Sequence, residues 1–186
     1  MDYTYEYFQK SADYVKKIVP WTPDVAIVLG SCLGPFADTI EDPIVIDYKD
    51  IPNFLVSTVK SHAGKLIFGT VAGKRVVCMS GRFHSYEGYD FEQLVIPVRL
   101  FKLLGVKATI LTNAAGAINP SYRPGDVMIV SDHIKFTGAS PLRGHNVEEF
   151  GPRFFDVSRM YTPELRKLAW DCAADSGLNV HEGVYF

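Results

Sequence analysis

The stretch Asp24 to Gly30, DVAIVLG, is apolar at nearly every position and ends on a glycine. A strand with no polar alternation has no face to offer water, so both of its sides must be covered. Lys74 to Met79 (KRVVCM) and Ala108 to Thr112 (ATILT) repeat the theme. Helical patterns lie around them. Tyr5, Phe8, Ala12, Val15 and Val19 recur on one face, with Thr4 as cap and Pro20 as stop. Asp90 to Leu104 opens on Asp90 with Gln93 three residues on, and Gly105 lies just past its end; Pro97 inside it predicts a bend. Pro35 to Glu41 reads as a short helix and Thr162 to Ser176 as a longer one, with Leu165, Leu168, Ala169, Cys172 and Ala173 on one face. Leu66 to Thr70 and Lys74 to Met79 flank Ala72-Gly73 as a hairpin. Val127 to Ser131 and His181 to Phe186 read as further strands. Short apolar strands separated by helices predict an α/β sheet covered on both faces.

The 186 residues suffice for one core, and a single domain over residues 1–186 is expected. A formal net charge of −2 leaves no basic excess to track a nucleic-acid backbone. No apolar run approaches the roughly 20 residues of a membrane helix. The opening MDYTYEYFQK lacks the cationic start and apolar stretch of a signal peptide. Cys32, Cys78 and Cys172 are odd in number and show no CxxC spacing, which fits reduced thiols in the cytoplasm. The sequence stops at Val184-Tyr185-Phe186, inside an apolar strand pattern, as a fragment would.

Three strand ends carry chemistry. SGRFHSYEGY, residues 80–89, follows the run ending at Met79. In extended chain, residues two apart point the same way, so Arg82, His84 and Tyr86 share a side and Phe83 and Ser85 the other. The arginine fork suits phosphate or carboxylate, and a tyrosine ring suits a sugar or base. A solvated loop is the competing reading. Gly30-Ser31-Cys32-Leu33-Gly34 forms a strand-turn-helix junction whose exposed N–H groups favour an anion. It is neither GxGxxG, nor a P-loop, nor GxSxG, and a plain turn explains it as well. Thr112-Asn113-Ala114-Ala115-Gly116-Ala117 leaves backbone open to a ligand, or is a tight turn. His62, Asp132-His133 and the aromatics Phe150, Phe154 and Phe155 have ordinary surface or packing explanations. No two histidines share metal-ligand spacing. In open α/β sheets ligands bind at the carboxyl ends of strands, and an anion site drawn from all three loops is the simplest joint reading.

In order along the chain stand Gly30-Ser31-Cys32-Leu33-Gly34, Ser61-His62-Ala63-Gly64, Gly81-Arg82-Phe83-His84-Ser85-Tyr86-Glu87-Gly88-Tyr89, Thr112-Asn113-Ala114-Ala115-Gly116, Gly125-Asp126 and Asp132-His133-Ile134. Together they resemble the trimeric purine nucleoside phosphorylases, across essentially the whole chain. The resemblance implies a three-layer α-β-α fold with a central mixed, largely parallel sheet, lacking its C-terminal part. It implies reversible phosphorolysis of purine (deoxy)ribonucleosides, of the inosine and guanosine type, to free base and sugar 1-phosphate. Phosphate would be held by Ser31, His62, Arg82, His84 and the backbone N–H of Ala114. Tyr86 would border the ribose, and Asn113, Ala115 and Gly116 the purine. Phe154 would reach a neighbouring site in a homotrimer. No cofactor or metal is implied, and inorganic phosphate is a co-substrate. His84 would orient phosphate, while residues that protonate the base would lie beyond Phe186. The alternatives are a methylthioadenosine phosphorylase and an inactive phosphate- or ribose-binding fragment. Cys32 departs from the usual glycine of the first motif and is tolerated there if its φ is negative. Ala117 and Lys135 depart from a usual glycine and asparagine.

Overall fold

The computed structural model describes residues 3–56 and 64–186, which fall into two compact units. The first takes in residues up to 114 together with 139–152, and the second 115–138 with 153–186.

In the first unit, the Thr4 hydroxyl accepts from the backbone N–H of Tyr7 and so starts α1 (Tyr5–Ile18). A five-stranded mixed sheet follows, built from β1 (Val25–Val28), β2 (Glu41–Asp47), β3 (Lys65–Val71), β4 (Lys74–Ser80) and β5 (Ala108–Leu111). Its order is β2-β3-β4-β1-β5. β1 runs parallel to both β4 and β5, with Val28 opposite Met79 on one side and Leu111 on the other. β2, β3 and β4 are antiparallel to one another. Ala72 and Gly73 both have positive φ and close the β3–β4 hairpin, as their position between two apolar runs predicts.

The period of two along β1 divides the core. Ala26 and Val28 pack with Phe8, Ala12 and Val15 of α1 and with Ile96, Leu100 and Leu104 of α3 (Ile96–Leu104). Ile27 and Leu29 point the other way, against Ile67, Val76 and Cys78, and a 3-10 helix over Gly34–Thr39 covers them with Phe36 and Ala37. Each fully buried Phe, Leu or Ile side chain contributes about 1.5–3 kcal/mol here. The helix expected from Asp90 to Leu104 divides at Val95 into α2 (Phe91–Leu94) and α3. Pro97 lacks the N–H an interior helical position needs, so it sits in the first turn of a new helix. β2 has no counterpart in the sequence reading. Pro43 interrupts its pattern, and the strand accommodates it at the sheet edge with a register shift between Glu41 and Ile44.

The second unit holds β6 (Val127–His133), α4 (Pro163–Ala174) and β7 (Val180–Tyr185), with β6 and β7 paired in parallel. The turn before β6 is closed by Asp126, which accepts from the N–H of Arg123 at 2.9 Å. Asp126 also meets Asn179 at 2.8 Å and His181 Nε2 at 2.9 Å, and so binds the turn to the start of β7. Gly177, just past α4, has φ 70°, the left-handed end its glycine predicts.

Candidate active site

Because β1, β4 and β5 run in parallel, their carboxyl ends lie at one edge of the sheet. The loops that leave them are the three singled out in the sequence. Thr112, the first residue past β5, ties them together. Its hydroxyl accepts from Gly30 N–H at 2.7 Å and donates to Val28 O at 2.8 Å. Its carbonyl accepts from Arg82 Nη1 at 2.6 Å. One residue therefore touches the loop after β1 and the loop after β4.

The alternation expected of residues 82–86 holds from Arg82 to His84; from Ser85 the chain turns into a 3-10 helix over Ser85–Glu87, and Ser85 is exposed rather than buried beside Phe83. Phe83 is buried among Tyr48, Phe54 and Tyr89. Arg82, His84 and Tyr86 associate with one another: Arg82 Nε donates to His84 Nε2 at 3.1 Å, and the His84 and Tyr86 rings stack at 4.5 Å. A guanidinium nitrogen can only donate, so Nε2 is an acceptor in this arrangement and Nδ1 carries the imidazole proton. Nδ1 meets Glu87 Oε1 at 3.0 Å, and the same oxygen accepts the His84 backbone N–H at 2.9 Å. The Glu87 side chain is 1% exposed and that of His84 17%.

The turn after β1 is built by close approach. A Cβ on Gly30 would lie 2.6 Å from Thr112 O, so only glycine fits between the two strand ends. Leu33 N–H closes the turn onto Gly30 O at 3.2 Å. Cys32 has φ 69°, so the negative φ on which an unstrained cysteine depended there is not met. The chain reverses sharply into the 3-10 helix, and the left-handed conformation that glycine adopts freely falls on a residue with a Cβ. Its thiol is exposed. An open cleft of about 770 Å³ borders this turn, lined by Gly30, Ser31 and Cys32, by the apolar Leu29, Ile40, Val45 and Ile67, and by Lys65 and Asp38. Arg82 and His84 lie outside its lining.

Of the residues expected at the site, the structure gathers Arg82, His84 and Tyr86, and brings Arg82 and the Ser31 turn to Thr112. Ser31 is exposed on that turn. Asn113 donates from Nδ2 to Ala114 O at 3.2 Å. Ala115, Gly116 and Phe154 belong to the second unit, where Phe154 is 90% exposed. His62 lies outside the described residues. Sequence reasoning missed Glu87 and Thr112. Glu87 stands three residues after His84, the spacing of a capping box, and that signal would have found it. Thr112 opens a stretch the sequence does single out, but its bracing role depends on Gly30 and Arg82, which are distant along the chain. A guanidinium, an imidazole and exposed turn amides at one sheet edge suit an anion. No helix among the described residues is long and apolar enough to cross a membrane.

A family model described as the phosphorylase superfamily matches residues 24–186. The chain is 52% identical over 177 residues to purine nucleoside phosphorylase 1 of Geobacillus stearothermophilus, covering 95% of this chain and 65% of that protein. It is 42% identical over 189 residues to purine nucleoside phosphorylase of Rattus norvegicus, covering 99% of this chain and 65% of that protein. Among solved structures it matches isoform 2 of purine nucleoside phosphorylase from Schistosoma mansoni, in complex with cytosine and ribose-1-phosphate, with TM-score 0.92 and 43% identity over 98% of this chain and 66% of that one. The chain thus spans 65% of the length of these curated relatives.

Proposed function

Because this chain belongs to the phosphorylase superfamily, we propose that it supplies the phosphate- and sugar-binding part of a purine nucleoside phosphorylase acting in purine salvage. Its substrates are purine (deoxy)ribonucleosides such as inosine and guanosine, its products the free base and the sugar 1-phosphate. The observation that carries this is the meeting of the Gly30 turn and Arg82 at Thr112, with His84 and Glu87 behind Arg82. It supports an oxyanion site at the sheet edge where such folds take their ligands.

In the proposed reaction a phosphate oxygen forms a bond to C1′ while the C1′–N9 bond breaks. The electron pair leaves with the purine, which takes up a proton. Arg82, His84, Ser31, His62 and the N–H of Ala114 hold the phosphate beneath the sugar. Fixing a weak nucleophile in line lowers the barrier through proximity, and its negative charge stabilises the cationic sugar. Tyr86 borders the ribose, and Asn113, Ala115 and Gly116 line the purine. The exposure of Phe154 supports its reaching a neighbouring subunit of a cytoplasmic homotrimer, where it covers the sugar. Protonation of the purine falls to the third of the relatives' length that this chain does not span. No metal or organic cofactor enters the scheme.

Thermal melts with and without millimolar phosphate test the anion site. Phosphate is expected to raise Tm, and Arg82→Ala to abolish the rise. A wild-type melt unmoved by phosphate rejects the proposal. Turnover of methylthioadenosine without turnover of inosine would reassign the substrate.

A further inference from the structure

Tyr48 takes no part in the scheme above, yet it sits where two of its loops begin. It closes β2 and opens a 3-10 helix over Tyr48–Asp50. The residue is 1% exposed. Its backbone N–H donates to Gly64 O at 2.9 Å, and Gly64 N–H donates in turn to Ser80 O at 3.0 Å. Its hydroxyl donates to the carbonyl of Gly81. Its ring meets those of Phe54 and Phe83, each at a centroid distance of 5.2 Å.

These contacts bracket Arg82. Gly81, just before it, has φ 93°, a conformation that glycine adopts freely and that leaves the direction of the next residue open unless something else fixes it. Phe83, just after it, is the buried member of the alternation that turns Arg82 and His84 the other way. Packing alone would be served by phenylalanine. A buried hydroxyl is costly unless paired, and this one is paired with the Gly81 carbonyl.

We infer that Tyr48 is a positioning residue for the Arg82–His84 pair: its hydroxyl fixes the Gly81 carbonyl and so sets the direction in which Arg82 leaves β4. The inference rests on the phosphate reading of that pair. Burial and the neighbouring Cys78 push the Tyr48 hydroxyl well above the ordinary tyrosine range, so it keeps its proton and donates throughout the neutral range. Tyr48→Phe removes one oxygen and leaves the ring. Phe54→Leu disturbs the same ring cluster and leaves the hydroxyl.

The test is made on the 186-residue chain, with orthophosphate Kd from titration calorimetry and amide exchange of residues 82–88 from mass spectrometry. Tyr48→Phe is expected to weaken phosphate binding about three- to tenfold, the net value of one hydrogen bond, and to speed exchange over 82–88. Phe54→Leu is expected to lower Tm with Kd unchanged. Wild-type chain that binds no phosphate overturns the phosphate reading, and this inference with it. Wild-type binding with an unchanged Kd in Tyr48→Phe overturns the inference alone, as does an equal loss in Phe54→Leu.

Discussion

Replacing Cys32 by glycine should stabilise the first unit. Cys32 holds φ 69°, and a residue with a Cβ in the left-handed region costs about 1–2 kcal/mol. Its side chain is exposed, so its removal forfeits no buried area. Against the relief stands the larger backbone entropy of glycine in the unfolded chain, about 0.4–1 kcal/mol. The net gain is about 0.5–1 kcal/mol, or roughly 1–4 °C in Tm for a chain of this size. Urea unfolding followed by Trp21 emission, in a Trp170→Phe background, reads the first unit without signal from the second. Cys32→Ala keeps the Cβ and should stay within about 0.5 kcal/mol of the parent. A glycine variant less stable than the parent, or an alanine variant that gains as much, would refute the strain reasoning.

Two further outcomes follow from the geometry. Gly30→Ala places a Cβ 2.6 Å from Thr112 O and 2.8 Å from Asn113 Cα, both backbone atoms, so the strand ends must part; a loss of about 1–3 kcal/mol or more is expected in urea unfolding, and the phosphate-induced rise in Tm should vanish. Asp126 is held below the ordinary carboxylate range, first by the Arg123 N–H and then by His181. A carboxylate lowered on folding contributes stability above its unfolded pKa, and that contribution is lost as pH falls through the folded one. The chain should therefore weaken as pH drops below about 4, and Asp126→Asn should flatten that dependence; a variant whose acid transition matches the parent's would count against the turn contact.

How much of this was legible depended on how far each feature reached along the chain. α1, the β3–β4 hairpin, β1 and β5 were readable because their signals are local: a cap, a turn dipeptide, an apolar run. β2 was not, since Pro43 and three acidic residues hide an edge strand whose only evidence is its partner β3. The i, i+2 pairing of Arg82 and His84 was readable from the pleat; Tyr86 joins them from a 3-10 turn, by stacking on His84. The backbone sign at Cys32 was not, because the path of the turn fixes φ there and the side chain does not. Tyr48 carried no signal in the sequence; its hydroxyl gains meaning only from Gly81, just past the end of β4 and 33 residues along the chain.

The bracing of three parallel strand ends at Thr112 has a consequence for how the chain acquires its site. Parallel neighbours cannot be joined by tight turns, so β4, β1 and β5 pair only after long loops have closed, a slow step in folding. The contacts among Gly30, Arg82 and Thr112 bridge segments far apart in sequence and exist only once that step is complete. A ligand bound across them would be released by unfolding of the whole sheet, and its rate of recapture during refolding would time the last register to form.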